Sequence, residues 1–138
     1  MKDMFNDIET RVAIEAQALS GTSDLTGQII DRQGFESVTF VVSADAIAAA
    51  DLDTLLNIED GDDSGLSDAA AVADADLIGT EANTAIADTD DKVSKRIGYK
   101  GGKRFVRANL TVTNNDGTDV FSGICILGHA NVMPVTAN

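Results

Sequence analysis

The sequence predicts an all-β protein: a single antiparallel β-sandwich, jelly-roll-like, with little helix. Three observations carry that prediction. Segments alternating between apolar and polar residues recur at 11–18, 52–59 and 103–113, with a further apolar strand at 120–127. Seven or eight such short strands are separated by turn signals rich in Gly, Asp, Asn and Ser, which favours a sandwich. The Ala-rich stretches are either too short to nucleate a helix or lack a clean apolar stripe.

In the first strand, 11–18, Val12, Ile14, Ala16 and Ala18 fall on one face and Arg11, Glu15 and Gln17 on the other. Gly21-Thr22-Ser23 is a turn, Thr26–Asp31 a second short strand, and Asp31-Arg32-Gln33-Gly34 a tight turn. Ser37–Ser43 (SVTFVVS) is β-branched and aromatic, which marks a central strand. Asp45–Ala50 reads as a connection. Leu52–Glu59 alternates again, with Leu52, Thr54, Leu56 and Ile58 on one side.

Asp60–Gly65 (DGDDSG) is a loop by composition, and the SDAAAVADADLIG that follows is ambiguous between helix and loop. Asn83–Asp88 and Ser94–Tyr99 read as strands, with Gly101-Gly102 as a turn. Lys103–Thr113 is the longest strand signal. Val106, Ala108, Leu110 and Val112 face inward there, while Phe105, Arg107, Asn109 and Thr111 face the other way. Asn114-Asn115-Asp116-Gly117 reads as a hairpin turn that returns Val120–Leu127 as the partner strand. Gly128-His129 ends that strand, and Pro134 marks an extended tail. The expected organisation is an N-terminal arm, 1–10, and one domain, 11–138, whose tail begins at about 128.

Composition narrows the function. The 138 residues suffice for one domain, and 43% of them are hydrophobic, but only 4% are aromatic. The core must therefore be built from Val, Ile, Leu and Ala, and it is light. A net charge of −13 opposes a nucleic-acid groove. No apolar run approaches the roughly 20 residues of a membrane span. The opening MKDMFNDIETR carries acids and no apolar core, so it does not read as a secretory signal. One cysteine, Cys125, precludes an internal disulfide. One His and one Cys preclude a His/Cys zinc site within one chain.

The charge is unevenly distributed. Between Asp45 and Asp91 there are 14 acids and no base, and from Lys92 to Arg107 there are seven bases and no acid. The expectation is an acidic surface with one basic band, Lys95, Arg96, Lys100, Lys103, Arg104 and Arg107. Lys103, Phe105 and Arg107 share the outward face of their strand, so two bases and an aromatic make an interface anchor. The alternative is that Phe105 packs inside and the bases pair with acids of their own chain, such as Asp90 and Asp91.

Little else points to chemistry. Asp60, Asp62 and Ser64 occupy positions 1, 3 and 5 of a calcium-loop spacing, with Gly65 at 6 and Asp68 at 9. Position 12, which needs a bidentate Glu, is Ala71, so these three are weak metal candidates. His129 is the sole histidine, and Ser122 is the nearest serine before it. Cys125 sits among Ile124, Ile126 and Leu127, where Cys acts as a small buried hydrophobe. No catalytic constellation and no cofactor loop is assembled, so the expectation is a non-enzyme without cofactors.

The stretch Ile97-Gly98-Tyr99-Lys100-Gly101-Gly102-Lys103-Arg104-Phe105-Val106-Arg107, continuing through Leu110–Thr113, Ile124–His129 and Pro134-Val135, resembles a family of small structural proteins of tailed bacteriophages. Members are typically encoded near the major capsid protein. Phe5–Ile8, the strand around Ala13-Ile14, Asp31–Phe40 and Glu59–Ser64 resemble that family's opening half, in the same order. Asp68–Asp91 carries none of the resemblance. The resemblance implies a virion protein made in the bacterial cytoplasm, a decoration or cement protein on the capsid surface, with the major capsid protein as partner. Competing readings are a neck or tail component, and a calcium-dependent carbohydrate-binding module using Asp60–Ser64. The thin core, and the apolar residues on both faces of Val120–Leu127, add an expectation of self-association, as a trimer or alternatively a dimer.

Overall fold

The computed structural model describes residues 3–132 and Val135; Pro134 and the tail expected around it lie outside the described residues. Ten strands follow in order: β1 (Ile8–Ser20), β2 (Ile30–Asp31), β3 (Phe35–Ala44), β4 (Asp53–Gly61), β5 (Ala70–Ala71), β6 (Leu77–Ile78), β7 (Ile86–Ala87), β8 (Ser94–Tyr99), β9 (Phe105–Thr113) and β10 (Thr118–Ala130). Single 3-10 turns at Asp74–Asp76 and Glu81–Thr84 are the helical content among the described residues. The strands form two antiparallel sheets. The first runs β1-β10-β3-β8-β6; the second runs β2-β9-β4-β5, with β7 also paired to β4. The strand orders β1-β10-β3-β8 in one sheet and β2-β9-β4-β5 in the other are those of a jelly roll.

Alternation explains the core. From β3, Val38, Phe40 and Val42 point inward; from β9, Val106, Ala108, Leu110 and Val112 do; and from β4, Thr54, Leu56 and Ile58 do. Tyr99, Phe40 and Phe121 are the largest fully buried side chains among them. β3 lies at the centre of its sheet, between β10 and β8, as its β-branched sequence predicts.

Several sequence expectations are corrected. In β1 the pairing with β10 slips between Val12 and Ile14 and again between Ile14 and Gln17. A bulge adds a residue without adding a partner, so the inside–outside alternation is reset. Ala13 and Ile14 are therefore both buried, Val12 is 55% exposed, and Ala16 and Ala18 are exposed as well. β1 also begins at Ile8, inside the stretch expected as an arm, and β10 continues to Ala130, past Gly128-His129.

The second correction concerns Asn114–Gly117. It does not close a hairpin, because β9 pairs with β4 and β2 while β10 pairs with β1 and β3 in the opposite sheet. The four residues turn a corner between sheets instead. Asn115 is buried, with its Nδ2 donating to Leu19 O and its Oδ1 accepting from Gly117 N. A strand with Phe121, Cys125 and Leu127 on one side fills the core better from across the sandwich than from beside β9.

The expected strand 26–31 shortens to Ile30–Asp31, because its backbone is shared between the sheets. Leu25 exchanges both hydrogen bonds with Leu110, whereas Gln28 N donates to Ala13 O at 2.7 Å. Likewise 83–88 yields just Ile86–Ala87, since Glu81–Thr84 forms a 3-10 turn. That turn has work on β4: Thr84 Oγ1 accepts from Leu56 N and Glu81 Oε1 from Ile58 N.

Candidate functional site

Three segments far apart in the chain, 31–36, 59–64 and 97–107, meet at one end of the sandwich. The guanidinium of Arg32 donates to Gly101 O at 2.9 Å and to Lys103 O, and lies 5.7 Å from the centre of the Tyr99 ring. Tyr99, buried on β8, donates its phenol proton to Asp60 on β4 at 2.7 Å and accepts from Lys103 N at 3.0 Å. Asp31 receives two hydrogen bonds from Arg104. Glu59 is ion-paired with Arg107 at 2.7 Å, directly opposite it on β9, and Asp62 is ion-paired with Lys103. Apart from Lys103 and Tyr99, four positions apart, the partners stand 39 to 73 positions apart, so no local pattern reveals the network.

Its electrostatics follow from these contacts. Hydrogen bonding from Arg104 holds the Asp31 carboxyl below the usual carboxylate range, against a smaller opposing effect of burial. Arg107 does the same for Glu59. Burial first, and then the hydrogen bond to Asp60, push the Tyr99 phenol well above its ordinary value. Tyr99 thus remains a donor throughout the physiological range.

The expected basic band is accordingly divided. Lys95 pairs with Asp90 at 3.7 Å, Lys103 with Asp62, Arg104 with Asp31 and Arg107 with Glu59. Arg96 and Lys100 are exposed and have no ion pair among the described residues. Phe105 does point away from Val106, but it is only 8% exposed, which corrects its reading as an outward anchor. It faces Gly61, where a side chain would strike Leu66, so Leu66 lies over the same face; Arg104 stacks on the Phe105 ring at 4.9 Å. The sequence could not show this cover, because Leu66 arrives from a loop whose composition is otherwise polar.

The Asp60–Gly65 loop uses its carboxylates internally. Asp60 accepts from Tyr99 and Asp62 pairs with Lys103. Asp68 accepts from the backbone N–H groups of Asp62 and Asp63, while Asp63 accepts from those of Gly65 and Ser67. These bonds hold the carboxyls of Asp63 and Asp68 low. Ser64 joins no cluster, and among the described residues no group of three or more His, Cys, Asp or Glu side chains gathers to hold a metal ion.

His129 stands exposed at the end of β10 with a left-handed backbone, beside a groove of about 510 Å³ that Asp7, Glu36 and Ser37 also line. Ser122 hydrogen-bonds Ser43 at 2.8 Å on the neighbouring strand instead of His129. Cys125 is fully buried, and that burial pushes its thiol up to about 12.

The outer face of the first sheet is unlike the rest of the surface. Pairing places Val12, Ile124, Val41 and Arg96 in one row across β1, β10, β3 and β8. The next row holds Thr10, Ile126, Thr39, Gly98 and Ile78. Ser122, Ser43 and Ser94 follow on the other side, and beyond them Ala18 with Val120. Arg96 is the one charged side chain in these four rows.

No protein-family model matches the sequence, and no curated protein matches it. Among solved structures the chain is similar to PBSX exported protein XepA, with 19% identity and a TM-score of 0.57 over 94% of this chain and 40% of that one. It is also similar to SPBc2 prophage-derived protein YomS, with 16% identity and a TM-score of 0.44 over 87% of this chain and 93% of that one. A third likeness is to infectious bursal disease virus Gx strain, with 12% identity and a TM-score of 0.49 over 92% and 33%. The chain therefore spans about 40% of XepA's length. At 19% identity the likeness to XepA shows the fold alone.

Proposed function

We propose that this protein is a non-enzymatic structural component of a tailed-bacteriophage virion, and specifically a decoration protein that binds the outer surface of the capsid lattice. The observation that carries the reading is the convergence of 31–36, 59–64 and 97–107 into one network. These are among the segments whose sequence resembles the phage structural family, and their polar side chains are spent on holding one end of the jelly roll together. Such an end, with Lys100 free and Lys103 and Arg104 at the surface, suits docking on an acidic partner, the major capsid protein. Electrostatic complementarity of this kind favours encounter and register, and lattice multiplicity converts a weak contact into a strong total one.

The test is to quantify this protein against the major capsid protein in purified particles. Copy numbers comparable with the capsid protein are expected. A small fixed number per particle would instead assign it to the neck or tail, and absence from particles would overturn the virion reading.

A further inference from the structure

The outer face of the first sheet is chemically distinct from the cationic end. Along β10 the outward residues Val120 and Ile124 are 41% and 44% exposed, and Val12 on β1 is 55% exposed. In a chain of net charge −13 the paired positions of these rows hold no carboxylate; Glu15, in the β1 bulge opposite Ser122, is the acid beside them.

We propose that this face binds a second copy of the chain, with a two-fold axis lying in the interface close to the direction of β10. Such an axis sets Ile124 against the partner's Ile124 and Val12 against the partner's Val41, so apolar residues cover one another without a gap in the row. Aligned sheets pack in this way about 10 Å apart. The same operation carries Arg96, two strands from β10 on one side, just beyond the partner's β1 on the other. Glu15 stands exposed on β1, accepts a hydrogen bond from the neutral Gln28 amide at 3.1 Å, and has no ion pair among the described residues. Arg96 likewise has none. One unpaired cation and one unpaired carboxylate on opposite sides of a neutral face form two equivalent pairs under a two-fold. That self-complementarity selects a second copy over an unrelated partner.

The strands β1, β10, β3 and β8, of 13, 13, 10 and 6 residues, spaced about 4.8 Å apart at roughly 3.4 Å per residue, give a face on the order of 600 Å². A standard interface uses about 800 Å² per partner. The dimer is therefore expected to be concentration-dependent, dissociating in the micromolar range. It does not rest on the virion reading, since it forms in solution.

Sedimentation equilibrium of the full chain, from micromolar to millimolar protein, tests it. Wild type is expected to pass from monomer to dimer. Ile124→Lys lowers the magnitude of the net charge yet sets two cations face to face, so it is expected to remain monomeric, with its circular dichroism and melting point showing that it folds. Arg96→Glu is expected to raise the dissociation constant by about tenfold, and adding Glu15→Arg to restore it. Ile124→Cys is expected to cross-link on oxidation, whereas Thr113→Cys on the other sheet does not. A wild type monomeric at millimolar concentration overturns the proposal. So does a trimer, or an Ile124→Cys variant that cross-links no faster than Thr113→Cys.

Discussion

Tyr99 on β8 and Asp60 on β4 join the two sheets through a 2.7 Å hydrogen bond in which the phenol donates to the carboxylate. Tyr99 also accepts from Lys103 N, so one buried hydroxyl serves an acceptor on one sheet and a donor in the turn before β9. Tyr99→Phe keeps the ring and removes both bonds. Loss of a partner to buried polar groups costs about 1–3 kcal/mol. The melting temperature is expected to fall accordingly, while the strand content read by circular dichroism is unchanged. A variant as stable as wild type would show that water satisfies Asp60 and Lys103 equally well.

Acid should weaken the network specifically. Hydrogen bonds from Arg104 and Arg107 hold the Asp31 and Glu59 carboxyls below the usual carboxylate range. A carboxyl with a depressed folded-state value stabilises the fold fully above its unfolded value, and that contribution is lost as pH falls through the folded one. Protonation elsewhere also relieves repulsion in a chain of net charge −13, in the opposite sense. The comparison that separates the two is wild type against Asp31→Asn with Glu59→Gln. Wild type is expected to be the more stable at neutral pH, with the difference shrinking below about pH 4 in parallel melts. A difference independent of pH would assign the effect to packing.

Gly27 is required by close approach. A Cβ there would stand 2.0 Å from the carbonyl oxygen of Ala108 and 2.7 Å from that of Ala13, both backbone atoms. Neither can swing aside as a side chain could. Gly27→Ala is expected to destabilise by at least the roughly 1–3 kcal/mol of ordinary overpacking. Gly102, where a Cβ meets nothing within 4 Å, is the control. Chemical denaturation of both alanine variants checks the contrast.

Charge reversal at the cationic end tests docking. Lys100→Glu with Arg104→Glu is expected to lower occupancy on capsids, and wild-type binding is expected to fall with added salt. Arg104 also pairs with Asp31, so the melting point of the double variant must be measured alongside. Wild-type occupancy by a folded double variant at low salt would show that this end is not the docking surface.

The legible parts of the sequence are those where local pattern and tertiary demand coincide. Ser94–Tyr99 and the inward face of 106–112 are read correctly, because a strand with one buried face must alternate. Val12 is misread because a bulge changes parity without leaving a mark in the residue types. Asn114–Gly117 has the composition of a hairpin turn, yet composition says only that the chain reverses, not whether it reverses within a sheet or between sheets. The basic band is visible as a run, but the acids that pair with it come from other strands.

By itself, then, the sequence determined the class of fold, the residues of the main core strands and the segregation of charge, since each depends on spacing or composition within one segment. Tertiary structure alone decided the rest. It set the jelly-roll order, buried Phe105 beneath Arg104, gave Arg107 to Glu59, and left Val12 and Ile124 exposed beside Val41. The physical reason is that pairing between distant segments is chosen by how the whole core fills, and no window of sequence contains that choice.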